Sequence, residues 1–396
     1  MVKHFSIKNF FAAESAAGVV LLAMAVLAMV VANSPLGPAY FALLKTNFGP
    51  DAIGLDLSLS HWIKDGLMVI FFLVIGLEIK RELLIGELSN WRRAALPLFG
   101  AIGGMAVPAL IFLGITAAHP ELWRGWAVSS ATDIAFAVGI LALLGKRIPL
   151  SLRVFLLALA ILDDLGAVLV IAFFYSGDLH GQALAVVAAL FVILLGMNKF
   201  GVRQLGPYLL LGVGMWYAML QSGVHSTLAG VLLAATIPLG PGQTPTKVNL
   251  DNSPMLYLEK FLHPYVAFGI MPIFALANAG VPVLGLALGD LLQPLTLGIA
   301  LGLFLGKQLG IFASAWAAIK LGIADKPAQS NWLQLYGVAT LGGIGFTMSL
   351  FIGALAFSDA VLLDQVKLGV LTGSLLSGVL GYGLLRLSAP SKIPHA

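Results

Sequence analysis

The sequence of 396 residues contains no cysteine. A disulfide framework, a thiolate metal site and a cysteine nucleophile are therefore excluded. The Walker loop of ATP-driven pumps, the glycine fingerprint of dinucleotide-binding folds and the His-Glu-x-x-His zinc motif are also absent. These absences argue against primary ATP-driven transport. We predict a protein that is not an enzyme and that carries no cofactor.

Charged residues are scarce as well. They make up 10% of the chain, against roughly 25% in soluble domains, whereas 59% of the residues are hydrophobic and the mean hydropathy is +0.98. The formal net charge of +4 is explained by basic cytoplasmic loops, so we expect membrane lipid and no nucleic acid as a partner. The composition predicts an all-α integral membrane protein, with residues 1–396 forming a single polytopic membrane domain.

The long apolar runs predict about twelve transmembrane helices, since each crossing takes roughly 20 apolar residues. Lys3 and Lys8 precede an apolar run, as in a signal peptide, but the cleavage site is weak, and we interpret the run as an uncleaved first helix. The predicted spans are 14–33, 59–83, 95–117, 121–144, 150–175, 181–199, 205–220, 223–238, 256–279, 295–318, 333–356 and 361–386. The fourth, ninth and eleventh are interrupted by polar residues, Gly or Pro and should be the least regular.

The distribution of Lys and Arg tests this map. With the N-terminus in the cytoplasm, only Lys45, Lys64, Arg124 and Lys367 fall on the outer side, and only Lys307 falls inside a span. This bias predicts that both termini are cytoplasmic, with a cytoplasmic loop at 239–255 and a tail at 387–396. The outer loop 33–58 alternates apolar and polar residues around Gly54, as in a short β-hairpin that either contacts a second copy or forms a lid.

Four ionisable residues stand out in mid-membrane, where a charge is costly and a function is the first hypothesis: Asp133, Asp163, Asp164 and Lys307. Asp163 and Asp164 are adjacent, so they point about 100° apart on a helix while remaining close enough to repel. At least one should hold a proton at neutral pH and exchange it for a hard cation such as Na+ or Li+, which prefers oxygen ligands. The alternative is a carboxylate locked in a salt bridge.

Two segments predict broken helices. Polar residues interrupt the fourth span at Ser129–Asp133, and the glycines Gly342, Gly343 and Gly345, followed by Thr347, interrupt the eleventh. Half-helices that end within the membrane expose uncompensated dipoles, which Asp133 and Lys307 could offset; the alternative for Lys307 is a proton carrier. Helices 3–5 and 10–12 run in opposite senses, which predicts inverted-topology repeats with broken helices 4 and 11.

A second group of charges lies at the predicted cytoplasmic rim. It is either an interfacial salt-bridge network or a funnel whose protonation gates ion uptake. Its members are Glu78, Arg81, Glu82, Glu259, Lys260 and His263. His225 lies near the opposite face and is as readily explained by a structural role.

The sequence resembles NhaA-type sodium/proton antiporters from about Phe11 to Arg386. The segments that carry the resemblance are Gly76–Glu82, Ala131–Phe136, Leu162–Ala167, Gly223–Gly230, Gly306–Lys307 and Gly343–Ser349. The resemblance implies a twelve-helix, multi-pass protein of the bacterial inner membrane, commonly a homodimer. It also implies export of Na+ or Li+ in exchange for H+, with activation at alkaline pH.

Residue roles follow from the same resemblance. Asp163 and Asp164 match the ion site, with Asp164 the primary ligand, and Thr132 and Asp133 match positions that line or support it. Lys307 matches a residue that pairs with Asp163 or carries a proton. Glu78, Arg81, Glu82, Glu259, His263 and His225 match positions assigned to pH response. Lys260 departs from the family, because a histidine is expected at this position.

Competition of cation and protons for the aspartates, with alternating access, would give electrogenic exchange of two H+ per cation. An intramembrane aspartyl protease also buries two aspartates, but it needs them on separate helices around one scissile bond. A Na+-coupled symporter would need a larger pocket with aromatic and amide ligands. Neither rival suits adjacent Asp163 and Asp164.

Overall fold

The computed structural model describes residues 7–241, 243, 252–283 and 288–388. Lys3, most of the loop 239–255 and the tail after residue 388 lie outside these residues. Seven helices of the described part are long and apolar enough to cross a membrane, or nine if each of two bent pairs counts as one span. The predicted all-helical membrane fold with broken helices is therefore confirmed, whereas the number twelve stays a prediction.

The regular elements are almost all helical. In chain order they are α1 (Ile7–Ala32), α2 (Gly37–Lys45), β1 (Asn47–Phe48), β2 (Leu57–Ser58), α3 (Leu59–His61), α4 (Met68–Ile85), α5 (Trp91–Ile115), α6 (Ile134–Leu143), α7 (Leu150–Phe174), α8 (Gly181–Lys199), α9 (Leu205–Leu220), α10 (Leu228–Thr236), α11 (Pro254–Tyr265), α12 (Met271–Asn278), α13 (Leu288–Leu291), α14 (Pro294–Leu301), α15 (Lys307–Lys320), α16 (Trp332–Leu341), α17 (Phe346–Ala356) and α18 (Ala360–Ser388).

Short 3₁₀ and π segments complete the list. The 3₁₀ segments are Asp51–Ile53, Glu87–Ser89, Pro120–Ser130 and Gly145–Arg147, and the π segments are Trp62–Leu67, Val266–Ile270 and Gly302–Gly306.

The described residues form two compact units. Of the described residues, the first unit comprises Pro38–Ser89 and Val168–Ala277, and the second comprises residues 7–37, Asn90–Ala167, 278–283 and 288–388. The four ionisable residues that the sequence places in mid-membrane belong to the second unit. The charged rim cluster belongs to the first unit.

Side chains cap several helices of both units. In α16, the Asn331 side chain accepts from the amide of Gln334 and the Gln334 side chain accepts from the amide of Asn331, which is a complete capping box. Ser253 caps α11, and Pro254 follows in the first helical position, where its missing N–H costs nothing. These caps are readable in the sequence because each one is made by residues close together in the chain.

Glycine lets two helices of the second unit approach closely. A Cβ added at Gly103 of α5 would lie 2.3 Å from the carbonyl oxygen of Gly310 of α15, and one at Gly310 would lie 2.1 Å from that of Gly103. Close backbone approach at small residues is the usual way in which membrane helices pack. This crossing holds α15, which carries Lys307, against α5.

The irregularities only partly match the predicted ones. The ninth span, which was expected to be irregular, is continuous and contains a π segment, Val266–Ile270. A second π segment, Gly302–Gly306, immediately precedes Lys307 and was not predicted. The helix of the predicted eighth span, α10, begins at Leu228 instead of residue 223. Gly223 has a left-handed φ of +80° and belongs to the preceding turn.

The predicted hairpin contains two very short strands. Asn47 pairs with Ser58 and Phe48 with Leu57 in antiparallel register. The connecting loop packs on its own chain, because the indole of Trp62 donates to the carbonyl of Phe48 (3.0 Å) and the hydroxyl of Tyr217 to that of Ile53 (2.9 Å). Contact with a second copy stays a prediction.

Candidate ion-binding site

The first break interrupts the fourth span after a 3₁₀ segment. Pro120–Ser130 and α6 are inclined by 43°, and Ala131 and Asp133 between them have extended backbone. Asp133 is the N-cap of α6, and its Oδ1 accepts from the amide of Phe136 at 3.0 Å. A short acidic side chain at this position stabilises a helix start by accepting a free N–H and by opposing the positive end of the helix dipole.

The second break separates α16 from α17, which are also inclined by 43°. Its glycines have no left-handed backbone, as Gly342 and Gly345 have φ of −59° and −91°. They are required for space instead. A Cβ at Gly343 would lie 2.4 Å from the Leu303 carbonyl oxygen, and one at Gly345 would lie 2.1 Å from Ser349 Oγ. The chain leaves the helix at residues 342–345, between α16 and α17, and the glycines permit close packing there.

The two breaks contact each other through Asp133. Its amide donates to the carbonyl of Ile344 at 2.7 Å. Its Oδ2 accepts from the amide of Thr347 at 3.1 Å and also from the Thr347 hydroxyl. Thr347 lies in the first turn of α17, just beyond the break. One carboxylate therefore caps two helices, α6 with Oδ1 and α17 with Oδ2, as the dipole interpretation of Asp133 predicts.

Lys307 and Asp163 form a buried ion pair. The ammonium of Lys307 in α15 lies 2.5 Å from Oδ2 of Asp163 in α7, and neither side chain is exposed. Oδ1 of Asp163 is buried without a hydrogen-bond partner among the described residues. A carboxylate with one oxygen held by a cation retains lone pairs on the other oxygen that can receive a proton or a metal ion.

Thr132 connects this ion pair to the second break. Its Oγ1 lies 2.6 Å from Oδ2 of Asp163 and 2.7 Å from the carbonyl oxygen of Gly342, so its single proton can be donated to either. Asp164, the next residue of α7, is 2% exposed. Two carboxylates, a hydroxyl and a backbone carbonyl are thus available in one region of the second unit, and all are hard oxygen ligands suited to an alkali cation.

Gln308, next to Lys307, is a buried polar residue that the sequence reasoning missed. Its Oε1 accepts from the hydroxyl of Tyr336 at 2.7 Å and lies 3.3 Å from Oγ1 of Thr340. These contacts join α15 to α16, the half-helix that precedes the second break. An amide in a predicted span is the signal that would have identified it.

The rim charges of α4 and α11 come together in the first unit. Nε of Arg81 donates to Oε1 of Glu259 at 2.8 Å, and the guanidinium also contacts the carboxylate of Glu82. Nε2 of His263 lies 3.9 Å from Oε1 of Glu78. Lys260 is exposed, and no ion pair links it to this network within the residues described.

A second polar group of the first unit includes Asp65, which the sequence reasoning also missed. Asp65 is 9% exposed, and its Oδ1 accepts from the hydroxyl of Ser226 at 2.9 Å and lies 3.6 Å from Nδ1 of His225. His225 lies in the turn between α9 and α10, outside the helices, where burial lowers its pKa to about 4 against a weaker opposing effect of Asp65. The signal for Asp65 is a carboxylate near the outer end of the predicted second span.

Comparison with known proteins covers nearly the whole chain. The profile of the family described as Na+/H+ antiporter 1 matches residues 8–385. The Na(+)/H(+) antiporter NhaA 2 of Pseudomonas syringae pv. syringae (strain B728a) is 57% identical over 381 residues, which is 96% of this chain and 94% of the relative. The Na(+)/H(+) antiporter NhaA of Bordetella parapertussis (strain 12822) is 55% identical over 387 residues, 97% of each chain.

A third relative, the Na(+)/H(+) antiporter NhaA 1 of Novosphingobium aromaticivorans, is 53% identical over 390 residues, 98% of this chain and 91% of the relative. The resemblance expected from the motifs is confirmed by these matches, because both the profile and the relatives extend over both broken helices and the buried aspartates. The multi-pass chain therefore belongs to the Na+/H+ antiporter 1 family.

Proposed function

We propose that this chain exports Na+ or Li+ across the bacterial inner membrane in exchange for H+. Family membership supports the activity, and the second unit supplies chemistry that suits it. The carrying observation is the buried group formed by Asp163, Lys307 and Thr132, with Asp164 adjacent on α7. Buried ionisable groups of this kind mark ion pathways and proton relays in membrane proteins.

Exchange occurs by competition at one site. When the site faces outward, Asp163 and Asp164 take up protons; when it faces inward, the protons leave and Na+ binds the freed carboxylates. Thr132 and the Gly342 carbonyl, 2.7 Å from its hydroxyl, supply neutral oxygens for a partly dehydrated cation. Because a proton and Na+ cannot occupy the same carboxylate oxygen, uptake of one releases the other.

Everted membrane vesicles test the exchange directly. Under an imposed proton gradient, addition of Na+ or Li+ should release protons from the lumen, whereas K+ should not. Asp164→Asn should abolish this response, because an amide can neither release a proton nor neutralise the cation. Asp178→Asn, which changes an exposed loop carboxylate, is the matched control. A normal Na+ response in Asp164→Asn would refute the proposed site.

The stoichiometry is two H+ per cation, so that each cycle moves a net charge. The two proton carriers are either Asp163 and Asp164 or Asp164 and Lys307. In proteoliposomes, a potassium diffusion potential set by valinomycin should drive Na+ exchange without a pH gradient. If Lys307 carries a proton, Lys307→Gln should exchange Na+ without responding to the potential. An electroneutral response of the unmodified protein would overturn the stoichiometry.

The rim network in the first unit is the proposed pH sensor. Glu78 and His263, 3.9 Å apart, and the Arg81–Glu259 pair join α4 to α11, so protonation of a member changes how these helices are held. His263→Ala should shift the pH midpoint of exchange and leave its maximal rate unchanged. Lys260→Ala, on the exposed side of the same helix, should have a smaller effect. Loss of all exchange in His263→Ala would contradict the sensor role.

A further inference from the structure

The first turn of α17 poses a physical problem. The first amides of a helix have no partner within that helix, and an unsatisfied amide is costly where water is scarce. The N-cap position of α17 is Gly345, which has no side chain to accept from these amides. It cannot be exchanged for a capping residue, because a Cβ there would lie 2.1 Å from Ser349 Oγ.

The missing cap comes from a different helix. Oγ of Ser374 in α18 accepts from the amide of Gly345 at 3.2 Å and from that of Phe346 at 3.1 Å. The next amide, of Thr347, donates to Oδ2 of Asp133. Three consecutive amides at the start of α17 are thus satisfied by two acceptors distant in the chain, and Ser374 provides for two of them.

The segment that Ser374 holds also contacts the proposed ion ligands. The carbonyl of Gly342 lies 2.7 Å from Oγ1 of Thr132, which in turn lies 2.6 Å from Oδ2 of Asp163. The carbonyl of Ile344 accepts from the amide of Asp133 at 2.7 Å. A change in the path of residues 342–346 therefore moves two groups that contact Thr132 and Asp133.

We infer that Ser374 is a positioning residue for cation binding. By capping α17 from α18, its hydroxyl fixes the backbone of the second break and, through Gly342, the orientation of Thr132 toward Asp163. This inference rests on the proposed function, since it concerns the same site. Its effect on Asp163 is indirect, because it acts through Gly342 and Thr132.

Ser374→Ala tests this role, and Ser377→Ala is its matched control. Ser377 lies one turn further along α18, is fully buried, and its hydroxyl has no hydrogen-bond partner within the described residues. Ser377→Ala removes the same hydroxyl oxygen as Ser374→Ala without removing a helix cap. Ser374→Thr retains the hydroxyl and should restore the unmodified behaviour.

Two readouts are needed, measured per folded transporter. Ser374→Ala should raise the KM for Na+ about three- to tenfold, the size expected for loss of one helix cap, with a smaller effect on kcat. Hydrogen exchange followed by mass spectrometry should be faster in peptides covering residues 342–348. Ser377→Ala should leave both quantities near those of the unmodified protein.

The inference is overturned if Ser374→Ala keeps both the KM and the exchange protection, or if the two alanine variants raise KM equally, which would indicate packing alone. Failure of the proposed function looks different. In that case the unmodified protein shows no Na+-dependent proton flux, while hydrogen exchange still reports whether Ser374 caps α17.

Discussion

Lys307 and Asp163 are 144 positions apart in the sequence, yet the Lys307 ammonium lies 2.5 Å from Oδ2 of Asp163, with both side chains fully buried. Removing both charges from water is costly, and their attraction offsets the cost only while both partners are present. The pair therefore stabilises the folded protein only while both charges are present. Any step that protonates Asp163 or replaces either residue leaves the other group buried without its partner.

Asp163→Asn should lower stability by about 3–5 kcal/mol, because it leaves the Lys307 charge buried without its partner. Thermal unfolding in detergent measures this loss of stability. The double variant Asp163→Asn, Lys307→Met should recover most of the stability, and Lys320→Gln, exposed at the end of the same helix, is the control. Equal stability of Asp163→Asn and the unmodified protein would contradict this account.

Asp133→Asn should remove the cap from one of the two helices, α6 or α17, and keep the other. The asparagine oxygen can accept either from the amide of Phe136 or from the amide and hydroxyl of Thr347, and the NH2 group cannot accept from the other partner. We expect a destabilisation of about 1–2 kcal/mol and a raised KM for Na+. Hydrogen exchange should be faster at the start of one of these two helices and unchanged at the start of the other. Equal loss of protection in both helices would contradict the assignment of one oxygen to each.

Gly345→Ala should destabilise the second break by overpacking, at a cost of about 1–3 kcal/mol. The added Cβ would meet Ser349 Oγ at 2.1 Å and Leu303 Cδ2 at 2.7 Å. Ser349→Ala removes the nearer atom, so the double variant Gly345→Ala, Ser349→Ala should be more stable than Gly345→Ala alone. A stability assay on all three variants makes the comparison. If the effects of the two substitutions on stability simply add, the contact between the new Cβ and Ser349 Oγ is not the cause of the destabilisation.

His225→Gln should leave the alkaline midpoint of exchange unchanged. Burial lowers the pKa of His225 from its ordinary 6.5 to about 4, so the side chain is already neutral at the pH at which alkaline activation would occur. Above pH 6.5 the histidine is neutral in both the folded and the unfolded chain. As the pH falls toward 4, the unfolded chain binds a proton at His225 and the folded chain does not, so the free energy of unfolding decreases. His225→Gln should therefore lose less stability than the unmodified protein between pH 6.5 and 4. A shift of the alkaline midpoint of exchange in His225→Gln would contradict the inference that His225 is neutral at alkaline pH.

Much of the architecture was predictable because it depends on the local composition of the chain. The scarcity of charge identifies a membrane protein, and the polar and glycine residues at Ser129–Asp133 and Gly342–Gly345 mark both breaks. The π segment before Lys307 was not predictable, since Gly302–Gly306 is apolar and compatible with an ordinary helix.

The candidate site was predictable only as a set of residue types. Asp133, Asp163, Asp164 and Lys307 are conspicuous because burying a charge is costly wherever the chain is this apolar. Ser374 gave no such signal, because a hydroxyl in a membrane helix can bond to its own backbone and needs no special partner.

The sequence by itself determined that the chain spans a membrane, that carboxylates are buried within it and that two of its helices are broken, since these follow from hydropathy and from backbone preferences along short stretches. Only the tertiary structure decided that Asp163 pairs with Lys307, that Asp133 caps α6 and α17 and that Ser374 of α18 also caps α17. Those contacts join residues up to 214 positions apart, and helical periodicity says which face a side chain occupies but not which distant helix that face meets.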